Sequence, residues 1–386
     1  MAQATLTCRP LVSVVTPFYN TAPYLAQCIE SVLAQTYPHF EYILMDNCST
    51  DGSGEIAESY ARRDPRIRLI RCTQFLSQLA NYNRALTEIS QASEYCKIVQ
   101  ADDWIFPECL QSMVLAFQKS ESIGLISSYW VTGNDLGGAG FPIQTPMLSG
   151  KECVRWYLRT GITPFGSQTQ VMYRSCLVRR QETFYNISFP FADIQKSIEI
   201  LEHWDFGFVY QVLSCTRTDN ESILHQALLP MAAYPLAQYV IAQRYGAIFL
   251  GVNESASIIA KRKLQYYRAL ARAALRLRGR AFWRFHKVGL KALGQHEKHD
   301  WPYLALIIGA ELLWLASNPG MTTVEALRRL KPKIGSKRAA PSLGSLPADF
   351  VSPAKASLEG VHDARQQCEL PHDAPEHAIA DAEAAP

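Results

Sequence analysis

The chain has 386 residues, of which 48% are hydrophobic and 19% charged, and its formal net charge is +3. This composition excludes a chain that is disordered throughout, and 21 glycines with 21 prolines exclude a collagen-like or low-complexity protein. The charge is unevenly distributed, since residues 1–260 carry −5, residues 261–338 carry +14 and residues 339–386 carry −6. The basic middle segment therefore suits an anionic partner, whether lipid, nucleic acid or the acidic tail itself.

The first 131 residues alternate strand and helix patterns. Apolar runs predict strands at residues 11–15, 40–45, 67–70, 95–99 and 123–131, and helical spacing predicts helices at residues 24–35, through Ile56 and Tyr60, at 79–89 and at 106–117. Further along, we expect a strand at 168–173, a helix around 193–201 and a strand at 208–213. This order predicts an α/β fold with a mostly parallel central sheet flanked by helices.

The pattern divides the chain into three parts. Residues 1–225 form the predicted α/β domain, residues 226–335 a helical and basic C-terminal region, and residues 336–386 an acidic tail whose composition predicts disorder. The longest apolar run, residues 303–316, contains Glu311 and is shorter than the about 18 residues of a membrane span, so no transmembrane helix is expected. Ten single cysteines without a C-x-x-C pair, and a start that lacks the build of a secretory signal, predict reduced thiols in a cytoplasmic protein.

Polar residues follow three of the predicted strands, at the sheet edge where α/β proteins bind their ligands. Asp102-Asp103 offers two adjacent carboxylates, which suit a divalent cation but would equally cap the next helix. Asp46-Asn47 can hydrogen-bond a base and a ribose, or can simply belong to a strand-to-helix turn. Spacing alone leaves both alternatives open for each pair.

Four motifs in register favour the functional alternative for both pairs. They are V-S-V-V-T-P-F-Y-N at 12–20, S-V-L-A-Q-T-Y at 31–37, F-E-Y-I-L-M-D-N-C-S-T-D-G-S at 40–53 and Q-A-D-D-W at 100–104. Over about 110 residues the chain resembles the inverting, nucleotide-sugar-dependent glycosyltransferases of family 2, which share the GT-A fold, and a weaker likeness extends to about residue 222. The resemblance implies that Thr16, Pro17 and Tyr19 line the pocket for the nucleotide base. It also implies that Asp46 and Asn47 recognise uracil and ribose, although the family's second residue is acidic where this chain has Asn.

The same resemblance implies the catalytic residues. Asp102 and Asp103 match the motif that binds ribose and metal, with Asp103 as the expected ligand of Mn²⁺ or Mg²⁺, and Gln100 replaces the family's usual first Asp of this motif. The family's general base, an acidic residue at the start of a later helix, corresponds to Asp193. From the sequence around it alone, Asp193 could equally be a helix cap without a chemical role.

The expected function is therefore metal-dependent, inverting transfer of a sugar from a nucleoside-diphosphate sugar, in the first instance a UDP-sugar, to a hydroxyl of a glycan or lipid-linked acceptor. A catalytically inactive, GT-A-like nucleotide-sugar-binding or scaffold subunit is the alternative that Gln100 and Asn47 leave open. A nucleotidyltransferase would need a glycine-rich basic loop after the first strand, and a Rossmann dehydrogenase a G-x-G-x-x-G motif there; the sequence has neither.

The basic segment has its own interpretation. Aromatic residues Phe282, Trp283 and Phe285 alternate with a run of basic residues that suits a helix lying on anionic lipid: Arg268, Arg272, Arg276, Arg280, Arg284, Lys287 and Lys291. This would place a cytoplasmic protein at the inner face of the plasma membrane. A solvated basic face is the alternative, and nucleic acid is not expected because no nucleic-acid-binding motif accompanies the charge.

Overall fold

A computed structural model describes residues 9–141, 146–180, 183–187, 189, 191–218, 228, 230–291 and 300–318. Its strands are β1 (Leu11–Phe18), β2 (Phe40–Asp46), β3 (Ile67–Arg71), β4 (Ser93–Ile98), β5 (Trp104–Ile105), β6 (Ile123–Thr132), β7 (Asp135–Gly137), β8 (Met147–Leu148), β9 (Met172–Arg174) and β10 (Asp205–Thr216). Its helices are α1 (Ala22–Leu33), α2 (Ser53–Ala61), α3 (Gln78–Leu86), α4 (Cys109–Phe117), α5 (Gly150–Thr160), α6 (Ser175–Arg179), α7 (Ala192–Leu201), α8 (Ala233–Phe249), α9 (Val252–Leu275), α10 (Arg280–Lys291) and α11 (Trp301–Ser317).

The strands form one mixed sheet in the order β3-β2-β1-β4-β9-β6-β10-β5, with β7 on β6 and β8 on β10. The predicted α/β sheet flanked by helices is confirmed. Pairs β3–β2, β2–β1, β1–β4 and β6–β10 are parallel, whereas β9 runs antiparallel between β4 and β6. The predicted strand at 168–173 is only partly correct, because residues 168–170 form a 3₁₀ turn in which Gln170 and Ser167 make a capping box.

Parallel pairing aligns the ends of the first strands. Phe18 of β1 lies opposite Asp46 of β2, which in turn lies opposite Arg71 of β3. On the other side of β1, Val15 pairs with Ile98 at the end of β4. The core beneath this edge is apolar because α1 buries one helical stripe against the sheet: Leu25, Cys28, Ile29 and Val32. The residues that follow these strands therefore meet at one edge of the sheet.

The C-terminal part of the described chain is helical. Helix α9 packs against both α8 and α11. The division at about residues 225 and 335 stays a prediction, and the acidic tail lies outside the described residues. No helix in the part of the chain that the structure describes is long and apolar enough to cross a membrane.

The cysteine prediction holds for most of the described cysteines. Seven of them are free thiols: Cys28, Cys48, Cys72, Cys96, Cys109, Cys153 and Cys215. It is wrong for Cys176, which is disulfide-bonded.

Candidate functional site

Hydrogen bonds between polar side chains and backbone amides join the loops that follow β1 and β2. Asn20, in the left-handed region at φ 50°, donates its backbone N–H to Ser49 Oγ (3.1 Å), and its Oδ1 accepts from the Thr50 N–H (2.8 Å). The Thr21 N–H donates to Ser53 Oγ (2.8 Å). Asn tolerates this backbone conformation better than most residues. The two loops consequently form one hydrogen-bonded rim.

Of the three residues expected to line a base pocket, only Tyr19 presents a substantially exposed side chain. Pro17 is buried in β1, and the buried Thr16 hydroxyl bonds the hydroxyl of Tyr42 (3.0 Å). Tyr19 is 43% exposed and packs edge-on against Phe75, which is 60% exposed, with the ring centroids 4.7 Å apart. Sequence analysis missed Phe75, because a lone aromatic residue in a polar loop carries no periodic signal.

The Asp46-Asn47 pair lies at this rim, but Asn47 does not present its amide to solvent. Its Nδ2 donates to the carbonyl oxygen of Leu76 (2.8 Å), and its Oδ1 accepts from the Leu76 N–H (2.9 Å). The side chain thus fixes the loop that carries Phe75. Asp46 is also buried, and one of its carboxylate oxygens accepts from the Ser49 N–H (2.9 Å). The contacts of Asn47 therefore differ from the base contact that the resemblance implied.

The acidic pair at 102–103 divides into one buried and one partly exposed carboxylate. Asp103 is 2% exposed; its Oδ2 accepts from the Thr169 hydroxyl (2.7 Å) and its Oδ1 from the Arg217 backbone N–H (3.1 Å). Burial, followed by the charge of Asp102, raises the pKa of Asp103 above that of an exposed carboxyl. Asp102 is only partly buried. Of the two, Asp102 is better placed to meet a ligand.

Gln100, two residues before the acidic pair, is hydrogen-bonded to neighbouring side chains. Its Nε2 donates to the Tyr82 hydroxyl (3.3 Å), and its Oε1 accepts from the Ser167 hydroxyl (3.0 Å). The carbonyl oxygen of Gln100 accepts from the thiol of Cys28 (3.5 Å), which also lies 3.9 Å from Thr16 Oγ1. The end of β1 and the acidic pair are thereby part of one connected site, and the amide of Gln100 binds protein groups where the family usually has a carboxylate.

Arg217 directly follows β10 and lies on the acidic pair. Its Nε donates to the carbonyl oxygen of Asp102 (3.0 Å), and its guanidinium also bonds Gln27. The guanidinium carbon lies 4.8 Å from the ring centre of Tyr24 and 5.0 Å from that of Trp104. Such stacking suits the planar guanidinium of arginine. Sequence analysis did not select Arg217, because the predicted last strand ended at residue 213, whereas β10 extends to Thr216.

Asp193 is the second residue of α7, whose cap position is occupied by Phe191. Its Oδ1 accepts from the Ile194 N–H (2.9 Å). Burial raises the pKa of Asp193 to about 6. A carboxylate with this pKa is ionised at neutral pH and is basic enough to accept a proton.

The surroundings of Asp193 are aromatic. Burial, and to a smaller extent the charge of Asp193, raises the pKa of four tyrosine hydroxyls: Tyr157, Tyr173, Tyr185 and Tyr234. Helix α3 connects these tyrosines with the acidic pair. Its Tyr82 is hydrogen-bonded to Gln100, and its Asn83 exchanges two hydrogen bonds with the backbone of Tyr185 (2.7 and 2.8 Å). The rigid helix α3 therefore contacts the surroundings of both acidic positions.

The donor set can be tested against the expected Mn²⁺ or Mg²⁺. Among the described residues no group of three or more His, Cys, Asp and Glu side chains could hold a metal ion. A hard divalent cation bound to a diphosphate, however, needs only one or two protein carboxylates. The acidic pair fits an ion of that kind, whose remaining ligands come from the diphosphate and water, and does not form a cage made of protein alone.

Three comparisons with known proteins bear on the family and the fold. Residues 13–180 match the model of glycosyl transferase family 2. The chain is 33% identical over 120 residues to the glycosyltransferase GlyG of Streptococcus pneumoniae and 37% identical over 95 residues to TuaG of Bacillus subtilis, a putative teichuronic acid biosynthesis glycosyltransferase. These matches cover 31% and 25% of this chain, and 39% and 37% of the relatives. The chain therefore spans less than half the length of either relative.

Among solved structures, S. aureus TarS 1–349 in complex with UDP-GlcNAc has a similar fold. The TM-score is 0.52 at 17% sequence identity, and the match covers 73% of this chain and 81% of TarS 1–349. The likeness extends past the motifs quoted above and supports the assignment of the fold. At this identity it carries no residue-level equivalence.

Proposed function

Because residues 13–180 belong to glycosyl transferase family 2, we propose that the protein moves a sugar from a nucleoside-diphosphate sugar to a hydroxyl group and inverts the anomeric centre. The acceptor in this proposal is a glycan or a lipid-linked glycan. The donor to be tried first is a UDP-sugar, since TarS, which shares the fold, binds UDP-GlcNAc. The donor class, a UDP-sugar, and the acceptor class, a glycan or lipid-linked glycan, are both part of what we propose.

The rim supports donor binding in the following way. The exposed rings of Tyr19 and Phe75 offer apolar surface to a base, and Asp46 lies at the end of the neighbouring strand. Asn47 acts in this proposal as a positioning residue, because its amide holds the backbone of Leu76 next to Phe75. A pocket whose loops are hydrogen-bonded to one another binds a nucleotide with little ordering cost.

The acidic pair supports binding of the diphosphate through a cation. We assign the metal contact to the partly exposed Asp102, whereas Asp103 stays hydrogen-bonded to Thr169 and Arg217 and holds the turn in place. A bound Mn²⁺ or Mg²⁺ supplies positive charge next to the leaving diphosphate. Arg217, stacked on Trp104, adds a fixed cation to the same side of the site.

Asp193 supports the acceptor half of the reaction. Its carboxylate, ionised above pH about 6, takes the proton of the acceptor hydroxyl while that oxygen attacks the anomeric carbon and the diphosphate leaves. In this proposal the buried rings of Tyr157, Tyr173 and Tyr185 keep water away from Asp193. Exclusion of water favours transfer to a hydroxyl over hydrolysis.

We further propose that the protein is cytoplasmic and acts peripherally at the inner face of the plasma membrane. Residues 261–338 carry +14, which suits the negative surface of a membrane that holds lipid-linked acceptors. In this arrangement residues 1–225 carry the reaction and residues 226–335 the membrane contact.

The observation that carries the proposal is the acidic pair 102–103 at the same edge of the family 2 sheet as Tyr19 and Asp46. A panel of UDP-, GDP- and dTDP-sugars, tested by thermal unfolding with and without Mn²⁺, checks it. A donor at 100 times its dissociation constant should add about 2.7 kcal/mol and raise the melting temperature by roughly 5 °C. If no nucleotide sugar stabilises the protein, the proposal is wrong.

A second candidate function is a nucleotide-sugar-binding subunit without turnover. Gln100, which replaces a family carboxylate and is bonded to Tyr82 and Ser167, favours it. The panel separates the two candidates when the stabilising donor is then incubated with Mn²⁺ and its hydrolysis or transfer is measured. Stabilisation with no release of nucleoside diphosphate would support the inactive subunit.

A further inference from the structure

Helix α11 has its charge inside and its apolar residues outside. Its only charged residue, Glu311, is buried, together with Leu304 and Ile307 at helical spacing. The rest of the helix exposes large apolar side chains, with exposed fractions of 47–74%: Trp301, Leu306, Leu312, Leu313 and Trp314. Surface helices of water-soluble proteins show the opposite pattern. The outer face of α11 is therefore unusual and needs an apolar partner.

The inward charge is fixed to the protein. The carboxylate of Glu311 forms ion pairs with Arg272 (3.1 Å) and Arg268 (3.9 Å) of α9. Both arginine side chains remain more than half exposed, at 59% and 55%. Two cations that share one carboxylate leave a positive excess at the border of the apolar face.

Helix α10 adds a second basic element. Its exposed side chains recur at intervals of three or four residues and form one stripe: Arg280, Arg284, Lys287 and Lys291. The opposite side of α10 is buried through Phe282, His286 and Leu290. Trp283 connects this helix to the apolar face, because its ring lies 6.1 Å from that of Trp301. An apolar face and a basic stripe thus lie on neighbouring helices.

We propose that the outer face of α11 inserts into the interfacial region of an anionic phospholipid bilayer while the basic stripe of α10 contacts the lipid head groups. A bilayer surface satisfies both features at once, since it offers apolar acyl chains beneath negative charge. The exposed tryptophans suit the boundary between these two layers. Because α9 covers the other face, α11 lies along the surface. The inference rests on the proposed membrane association and is independent of the transfer reaction.

The test measures partition of the full chain onto vesicles by co-sedimentation. Vesicles of phosphatidylcholine with about 30% phosphatidylglycerol should bind the protein better than phosphatidylcholine alone, and added salt should weaken binding. The double variant Leu306→Glu/Leu313→Glu should lower the partition coefficient at least about tenfold, because two apolar side chains no longer enter lipid. The triple variant Arg280→Gln/Arg284→Gln/Lys287→Gln should lose about tenfold on anionic vesicles only.

Val252→Glu is the matched control, since Val252 is 85% exposed at the start of α9 and should change binding by less than about twofold. Unchanged thermal unfolding shows that the variants fold. If the glutamate pair unfolds at a lower temperature, the neutral pair Leu306→Gln/Leu313→Gln is measured in its place. If the wild type binds neither vesicle, the proposed membrane association fails and this inference with it. If the wild type binds vesicles and the folded leucine double variant binds them as well as the wild type does, this inference is wrong while the proposed membrane association stands. If the leucine pairs instead convert a dimer to a monomer without lipid, the face is an interface between copies and the inference is overturned.

Discussion

The sheet edge and helix α11 both contain a buried carboxylate, but they stabilise it by different contacts and expose different kinds of surface. At the edge, buried carboxylates such as Asp103 accept hydrogen bonds from neighbouring loops, and only selected groups, such as Asp102 and the Tyr19 ring, remain accessible. In α11 the single carboxylate is neutralised by arginines, and the accessible surface is apolar. This difference is consistent with the two proposals, a small, charged ligand for the first region and an extended, apolar one for the second.

The largest expected effect is at the proposed base. Asp193→Asn should lower the transfer rate about a thousandfold and leave the dissociation constant of the donor unchanged, because an amide cannot accept the proton. In the wild type the rate should fall as the pH drops below about 6, where the Asp193 carboxylate becomes protonated. Steady-state rates over pH 5–9 measure both effects. Glu202→Gln, at the other end of α7, is the control that should keep full activity, and a fully active Asp193→Asn would remove Asp193 from the mechanism.

The next effect separates the two neighbouring aspartates. Asp102→Asn should leave the melting temperature unchanged and weaken Mn²⁺-dependent donor binding about a hundredfold. Asp103→Asn should instead lower the stability by about 1–3 kcal/mol, because an amide N–H would replace an oxygen that accepts from Thr169 or Arg217. Calorimetric titration of the donor and thermal unfolding distinguish them. The opposite assignment, with Asp103 as the metal ligand, predicts that Asp103→Asn abolishes the Mn²⁺ effect.

A stability change at Asp193 should follow from its raised pKa. Above pH about 6 the wild type keeps a partly buried charge that the unfolded chain, with the ordinary value of 3.8, carries at no cost. Asp193→Asn should therefore be more stable by roughly 3 kcal/mol at pH 7, and the difference should vanish below pH about 4. Denaturant unfolding at the two pH values checks the sign. A variant that is less stable at pH 7 would mean that favourable contacts of the carboxylate outweigh its burial.

The rim offers a test of Asn47. If the side chain at position 47 hydrogen-bonds the base, as the acidic residue of the family does, Asn47→Asp should keep or strengthen UDP binding. We expect about tenfold weaker binding, because a carboxylate cannot donate to the Leu76 carbonyl oxygen and is repelled by it. Phe75→Ala, which leaves Asn47 in place, should also weaken UDP binding. Calorimetry with UDP alone measures both, and thermal unfolding shows whether Asn47→Asp remains folded.

The smallest expected effect concerns Arg217. Arg217→Lys keeps the charge but loses the stacking on Trp104 and the fixed hydrogen bond to Asp102, so donor binding should weaken about fivefold. Arg62→Lys is the control, since its side chain is 71% exposed on α2. Equal donor affinities of the two lysine variants would show that Arg217 contributes charge alone.

The sequence by itself determined the order of the longer strands and helices within residues 1–131 and the polar groups at the strand ends. Apolar runs and helical stripes report burial directly, so β1, α1 and β2 were predicted within a few residues. Four motifs in register then indicated the resemblance to family 2 glycosyltransferases, whose model residues 13–180 match.

Tertiary structure decided what each polar group contacts. The sequence predicted a strand at 168–173, but only residues 172–174 form β9, and its antiparallel insertion depends on β4 and β6. The partners of Asn47 and Asp103 lie 29, 66 and 114 residues away along the chain. Likewise, the sequence of α11 shows one acid among apolar residues, but only packing against α9 decided that the acid faces inward. Hydrogen bonds and ion pairs between distant segments depend on the relative placement of those segments, which no local pattern encodes.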